Sequence, residues 1–352
     1  MTESETVKKL LKRYGAGVIT TARDVSGGEM KPEAFSTGSL RLDTALGGGN
    51  KLGGIYRQRI TSVWGEKSTG KTTLCNCTIA DAQRQGEKCL YVSFEGKYDK
   101  GYAMDCGVDL GALMFLQPIP DDKKIDILPG ESVFIILEEL IKHEGLGLIA
   151  IDSLSAMSPK REFDGEVGEF NPGLQAQIAG PFMRKIGLLV VRHNIAMILI
   201  EQARDNWGGT SFSAKKKMAG ANAVFHHSST IVKAARGYVS NSDKVKDGKE
   251  IIGQYSRFYI EHNQVNKPYQ SADVVIDENG INSYHDLLSY ADEVAFISKK
   301  GGGYYSYVDE NGEVVNMAHG LTNAATFLAE NRDVFEYLRG KVIDSLQEDP
   351  LL

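Results

Sequence analysis

Near-continuous apolar runs alternate with stretches of helical periodicity through the middle of the chain. The clearest runs are Arg59–Trp64, Cys89–Phe94, Leu146–Ile151 and Ile195–Ile200. Strands buried on both faces read this way, so the pattern predicts an α/β fold with a mainly parallel sheet covered by helices. Thr230–Ala235, Arg257–Glu261 and Ala272–Ile276 predict further strands, and the polar segment Gly237–Gly253 a hairpin loop. Near the start, Val7, Leu10, Leu11 and Tyr14 recur at helical spacing with Lys8, Lys9, Lys12 and Arg13 between them. That spacing predicts a basic amphipathic helix over Glu3–Tyr14. Its single apolar stripe needs a covering surface, for which a neighbouring subunit is one candidate. The last sixty or so residues change character. Ser298–Val315, rich in glycine and tyrosine, predicts a small hairpin, and Asn323–Gln347 predicts helices.

Composition narrows the class. A chain of 352 residues with 42% hydrophobic and 24% charged residues can bury a full globular core. No stretch approaches the roughly 20 apolar residues of a membrane helix. The longest candidate, Ile186–Ile200, is broken by Arg192, His193 and Asn194. The first residues lack the apolar core of a secretory signal, so a cytoplasmic location is expected. Cys75 and Cys77 are one residue apart, a spacing that fits no common zinc site. With Cys89 and Cys106 they read as reduced, buried thiols. A net charge of −6 argues against a general nucleic-acid binder, although local patches decide that question.

The candidate chemistry begins at Gly65-Glu66-Lys67-Ser68-Thr69-Gly70-Lys71-Thr72, followed by Thr73. The segment fits G-x-x-x-x-G-K-[ST], preceded by an apolar run and followed by a helical stretch, Thr72–Gln85. Glycines let backbone amides curl around phosphates, and the helix start adds positive potential. Lys71 is placed to reach the β and γ phosphates, and Thr72 offers a hydroxyl to Mg²⁺. An accidental glycine turn is the plain alternative. Three other runs end in polar residues: Glu95, Asp152-Ser153 and Glu201-Gln202. In an open parallel sheet these ends converge on the ligand. Asp152 is then a magnesium-holding acid or a helix cap. Glu95 is a base for the attacking water or a surface carboxylate. Gln202 is a γ-phosphate sensor or a strand-end amide.

Taken together, these residues resemble the bacterial and phage RecA recombinases over nearly the whole chain. The matching segments include Ser36–Gly47, the phosphate loop, Phe94-Glu95, Ile151-Asp152-Ser153 and Pro159-Lys160. Further matches are Gly165-Glu-Val-Gly168, Met183-Arg-Lys185, Gln202-Ala-Arg204, Ala219–Ala223, Gly280-Ile-Asn282 with Tyr284, and Tyr304–Tyr307. The resemblance implies an ATP-dependent helical filament on single-stranded DNA that pairs it with a homologous duplex. Single-strand-binding and mediator proteins are then expected partners. It also implies an oligomerisation helix and linker over 1–35, a RecA-type core over 36–288 and a small α+β C-terminal domain over 289–352. By position Glu95 becomes the catalytic base, acting with Lys71 and the sensor Gln202. Asp99, Tyr102 and Tyr284 lie by the adenine.

Two segments match the family's DNA-binding loops. The first, Asp164–Leu174, holds Gly165, Asn171, Pro172 and Gly173. The second, Asp205–Gly220, holds Trp207, Phe212, Lys215, Lys216, Lys217 and Gly220, with Asn222 just beyond. Basic residues interleaved with aromatics suit a single strand, although composition alone would equally describe a solvated surface loop. Arg184, Arg204 and Arg236 match positions near DNA or the subunit interface. The departures fall on the far side of the ATP site. The family places two lysines where this chain has His262 and Gln264, with Lys267 nearby. Gln177 stands in place of an arginine, and Phe225-His226 in place of a lysine-phenylalanine pair. These mark a divergent member, and a phage-encoded recombinase would fit. A ring-forming motor on the same core, or a nucleotide-switched scaffold with little hydrolysis, are the alternative readings.

Overall fold

The computed structural model describes residues 4–20, 33–165, 174–205, 216–218, 221–238, 242–247, 250–300 and 303–347. Two compact units result, residues 1–33 and 34–352. In the first, a helix spans Glu5–Tyr14 and is capped by the Ser4 hydroxyl, which accepts from the Val7 amide at 3.3 Å. Ser4 begins the helix because its side chain supplies a partner for an otherwise unpaired amide. Of the predicted apolar stripe, Leu10 and Tyr14 are exposed and Val7 and Leu11 half-buried.

The second unit is organised by one large sheet. Its central path runs Gly280–Ile281, Ser271–Asp277, Glu250–Asn263, Thr230–Arg236, Arg59–Gly65, Ala196–Asp205, Leu146–Asp152, Lys88–Ser93, Leu113–Leu116. The strands from Thr230–Arg236 to Leu113–Leu116 are parallel, and the three on the other side join antiparallel. All four leading apolar runs are parallel strands, so the α/β reading holds. Leu113–Leu116 was not anticipated, since it is short and only partly buried. The Gly237–Gly253 segment is more ordered than a loop. Lys244–Asp247 pairs antiparallel with Glu250–Asn263, a 14-residue strand that absorbs the shorter Arg257–Glu261 prediction. Likewise the predicted C-terminal hairpin is a three-stranded sheet, Ile297–Lys300, Tyr304–Val308 and Val314–His319. It is followed by helices Leu321–Glu330 and Arg332–Gln347.

Two apolar layers sandwich the sheet. One packs Leu74, Ile79, Tyr91, Leu148, Ile198 and Phe258 beneath the phosphate-loop helix Lys71–Arg84. The other packs Val92, Leu137, Ile149, Met183 and Leu199 beneath helices Gly130–His143 and Leu174–Arg192. Each fully buried aliphatic side chain contributes about 1.5–3 kcal/mol. A third cluster joins Leu287, Leu288, Tyr305, Leu328 and Val342 with Leu40.

The segment Ser36–Gly47 has a structural explanation in two buried acids. The Asp43 carboxylate accepts from Ser36 Oγ at 2.5 Å, Thr37 N at 2.9 Å and Thr37 Oγ1 at 2.7 Å. Asp286 accepts from Ser39 Oγ at 2.6 Å and Arg41 N at 3.3 Å. Burial pushes the Asp43 carboxyl up to about 7 and that of Asp286 to about 6, against these hydrogen bonds. The segment thus latches the core to the Ser283–Glu293 helix.

Candidate active site

Strand register brings the candidate residues together. Gly65 pairs with Gln202, Asp152 with Ile200, and Ser93 with Asp152. Parallel strands in this register end at one edge, and that edge carries Gly65, Glu95, Asp152 and Gln202. The loop turns there on Ser68 and Gly70, both at positive φ (58° and 86°). The φ of Gly70 is one that L side chains rarely adopt, so this turn favours glycine. Thr69 Oγ1 donates to the Glu66 carbonyl at 2.9 Å and closes the loop.

Lys71 opens the helix and is 9% exposed. Its Nζ donates to the carbonyls of Gly65 at 3.1 Å and Glu66 at 2.5 Å, so the ammonium lies inside the loop. Burial lowers its pKa, while Asp152, Glu95 and Glu66 oppose that shift. Thr72 Oγ1 lies 3.5 Å from Asp152 Oδ2. Burial raises the Asp152 carboxyl, and the Tyr91 hydroxyl, donating to the same oxygen at 2.8 Å, acts against it. Glu95 Oε1 accepts from Ser153 Oγ at 3.2 Å and from the Gln202 amide. A carboxylate, an amide and a hydroxyl therefore meet beside a buried ammonium and a second acid. Such a set can bind a phosphate chain, hold a hard cation through oxygens, and orient a water near Glu95.

Asp99 N-caps the helix Lys100–Asp105, accepting from the Tyr102 amide at 3.0 Å. Tyr102 reaches back to Thr73 Oγ1, hydroxyl to hydroxyl at 2.8 Å. The two are thus tied to the phosphate-loop helix. Tyr284 packs edge-on against Phe335, with ring centres 4.9 Å apart. Lys67 is exposed.

Of the residues matched to DNA loops, Asn171, Pro172, Gly173, Trp207, Phe212, Lys215 and Gly220 lie outside the described residues, and the side chains of Lys217 and Asn222 are likewise not described. Gly165 ends the short helix Lys160–Asp164, and Arg184 and Arg204 are exposed. Arg236 pairs with Asp243 at 3.0 Å. Lys216 forms an ion pair with Glu66 in the phosphate loop, and this pairing holds the Glu66 carboxyl below its ordinary value. The strand Ala196–Asp205 pairs antiparallel with Lys216–Met218, so the described residues on either side of the second segment lie side by side at the edge that carries Gln202.

His262 and Gln264 belong to the opposite edge. His262 pairs with Ile231 and Asn263 with Thr230, at the start of the strand whose far end neighbours Gly65. The Gln264 amide donates to the Ser229 carbonyl at 2.8 Å, and Lys267 follows on the same turn. Both glutamine and lysine are exposed.

Two functional neighbours escaped sequence reasoning. Tyr91 sits inside an apolar run opposite Ala150, and only the folded side chain brings its hydroxyl to Asp152. Glu201 is expected with Gln202 among the strand ends that converge on the ligand, yet it is 0% exposed and neither carboxylate oxygen has a well-formed hydrogen bond. Burial pushes its carboxyl up to about 8, against the Ser155 hydroxyl and the charge of Arg204.

Comparison with known proteins agrees with this arrangement. A model of the RecA N-terminal domain matches residues 2–282. A curated protein named Protein RecA from Marinobacter nauticus is 32% identical over 346 residues, covering 98% of this chain and 92% of that protein. Its namesake from Bacteroides thetaiotaomicron is 31% identical over 345 residues, covering 97% and 96%. That from Thermotoga petrophila is 31% identical over 330 residues, covering 93% and 86%. With a phosphate loop and strand-end acids in one register and relatives matching nearly from end to end, the chain belongs to the RecA family.

Proposed function

We propose that this chain is a DNA-dependent ATPase that forms a helical filament on single-stranded DNA and catalyses homologous pairing and strand exchange in recombination and repair. The observation that carries the reading is the continuity of the Ala196–Asp205 strand. It holds Gln202 against Glu95 at the phosphate edge and continues directly into the segment matched to DNA.

Lys71 and the amides of residues 66–72 bind the phosphates of ATP, with Asp99 and Tyr102 toward the base. Thr72 and Asp152 would hold Mg²⁺, and their hard oxygen donors fit that ion. Phosphate and water oxygens would complete the set. When bound, Mg²⁺ neutralises charge on the phosphates. Glu95 accepts a proton from water as its oxygen attacks the γ-phosphorus, while the bond from that phosphorus to the β–γ bridging oxygen breaks and ADP leaves with the electron pair. Gln202 aligns that carboxylate and responds to the γ-phosphate. Residues 1–35 serve oligomerisation, 36–288 form the ATPase core and 289–352 the C-terminal domain. Because His262, Gln264 and Lys267 occupy the edge remote from the chain's own loop, they reach ATP only across a subunit boundary.

Single-stranded DNA should raise turnover at least tenfold and yield filaments with ATP by electron microscopy. DNA affinity should fall steeply with salt if Lys215, Lys216 and Lys217 meet phosphates. No binding and no stimulation at low salt would sink the reading. Closed rings would favour a motor, and filaments without turnover a scaffold. Tyr91→Phe removes the hydrogen bond that steadies Asp152. It should raise the magnesium concentration for half-maximal turnover by about tenfold, the usual cost of losing an outer partner of a metal ligand. An unchanged magnesium titration would show Tyr91 to be a packing residue only.

A further inference from the structure

The four free cysteines are buried, and they are not equivalent. Cys75 and Cys89 are enclosed thiols. Burial pushes Cys75 well above its ordinary value and Cys89 up to about 12. Cys77 and Cys106 instead both lie against Gly280. A Cβ built on Gly280 would lie 3.0 Å from Cys106 Sγ and 3.2 Å from Cys77 Sγ, so the absent side chain leaves the space that both sulfurs enter. Each cysteine is 8% exposed. Cys77 belongs to the phosphate-loop helix, and Cys106 caps the helix that begins at Asp99 and carries Tyr102.

We propose that Cys77 and Cys106 are an oxidant-responsive dithiol, closed to a disulfide by hydrogen peroxide, that ties the phosphate-loop helix to the helix of Asp99 and Tyr102.

The two sulfurs differ in their surroundings. Cys106 has the Cys77 thiol, the Tyr102 hydroxyl and the Asn76 amide as polar neighbours, and these, the Cys77 thiol foremost, favour its thiolate against burial. Cys77 is pushed up by Cys106 beside it and by burial. In the proposed sequence Cys106 is the nucleophile and Cys77 the resolving thiol. The Cys106 thiolate attacks one peroxide oxygen and the O–O bond breaks. The departing hydroxide takes a proton and leaves as water. The resulting sulfenic acid is attacked at sulfur by Cys77, which gives up its proton as a second water departs. Two thiols lose two electrons and one peroxide becomes two waters. The disulfide alters the sulfur beside the Tyr102 hydroxyl, and that hydroxyl pairs with Thr73 Oγ1 beside the phosphate loop.

The test treats the full-length protein with hydrogen peroxide, blocks remaining thiols after unfolding, and maps peptides without reduction. A Cys77–Cys106 crosslink is expected, with Cys75 and Cys89 still alkylated. Cys77→Ser should leave a sulfenic acid on Cys106 that dimedone traps, and Cys106→Ser should leave none. Four alkylated cysteines after oxidation, or a crosslink in another pairing, would overturn the proposal. This readout does not depend on ATP hydrolysis. The functional consequence rests on the nucleotide reading above: the oxidised protein should show a KM for ATP raised several-fold, restored by dithiothreitol and absent in Cys77→Ser. A crosslink that leaves KM unchanged would overturn the coupling to the nucleotide site.

Discussion

Lys71→Ala should abolish measurable ATP turnover, lowering kcat by at least about 10²–10³-fold, the scale of losing one preorganised electrostatic contact to developing charge. The expectation follows from placement. The ammonium lies inside the loop on two carbonyls, with Asp152 and Glu95 acting on it. Alanine leaves those carbonyls with no cation and the phosphates with no side-chain counter-charge. Folding should survive, because burial already disfavours the cation there. Steady-state hydrolysis with saturating single-stranded DNA, paired with a thermal melt, separates the two effects. Turnover within tenfold of the parent, in a variant that melts normally, would remove Lys71 from the chemistry.

The second large effect is one of stability. Glu201→Gln should strengthen the fold at pH 8 by on the order of 3 kcal/mol and leave it almost unchanged near pH 4.5. In the folded chain burial holds the Glu201 carboxyl at about 8, compared with an ordinary 4.5. Below pH 4.5 both folded and unfolded chains carry the proton, and ionisation contributes nothing. As pH rises from 4.5 to 8, the unfolded chain ionises while the folded one keeps its proton, so the penalty grows with pH. Above about 8 both are ionised and the penalty levels off. Glutamine keeps the shape and removes the ionisation, so the gap between variant and parent should widen across that window. Urea unfolding at pH 5, 6.5 and 8 measures it. A gap that does not change with pH would mean that Glu201 is ionised in the folded protein.

The contrast between these two residues shows what the sequence could and could not say. Lys71 was legible because backbone geometry around phosphates fixes both its type and its spacing. The strands were legible because residues buried on two faces must be apolar, and Glu95, Asp152 and Gln202 because each breaks such a run at its end. Glu201 breaks a run as well, but which face it turns to depends on register, and register is a long-range property. The same holds for Tyr91, whose hydroxyl has meaning only beside Asp152, 61 residues away in the chain. Leu113–Leu116 and the strand Lys244–Asp247 were hidden for another reason. An edge strand gains its order from one neighbour's backbone, which leaves little mark on its own side chains.

One sheet carries the phosphate loop on one edge and His262, Gln264 and Lys267 toward the other. A contact that joins unlike edges is head-to-tail, so it cannot close a two-fold pair. Assembly that joins these edges, as proposed above, would be vectorial. An open polymer built this way would have two dissimilar termini, one with a loop no neighbour covers and one with the turn of Gln264 and Lys267 uncovered. Addition and loss of subunits would then proceed at different rates at the two tips, and that difference would give the polymer a direction of growth.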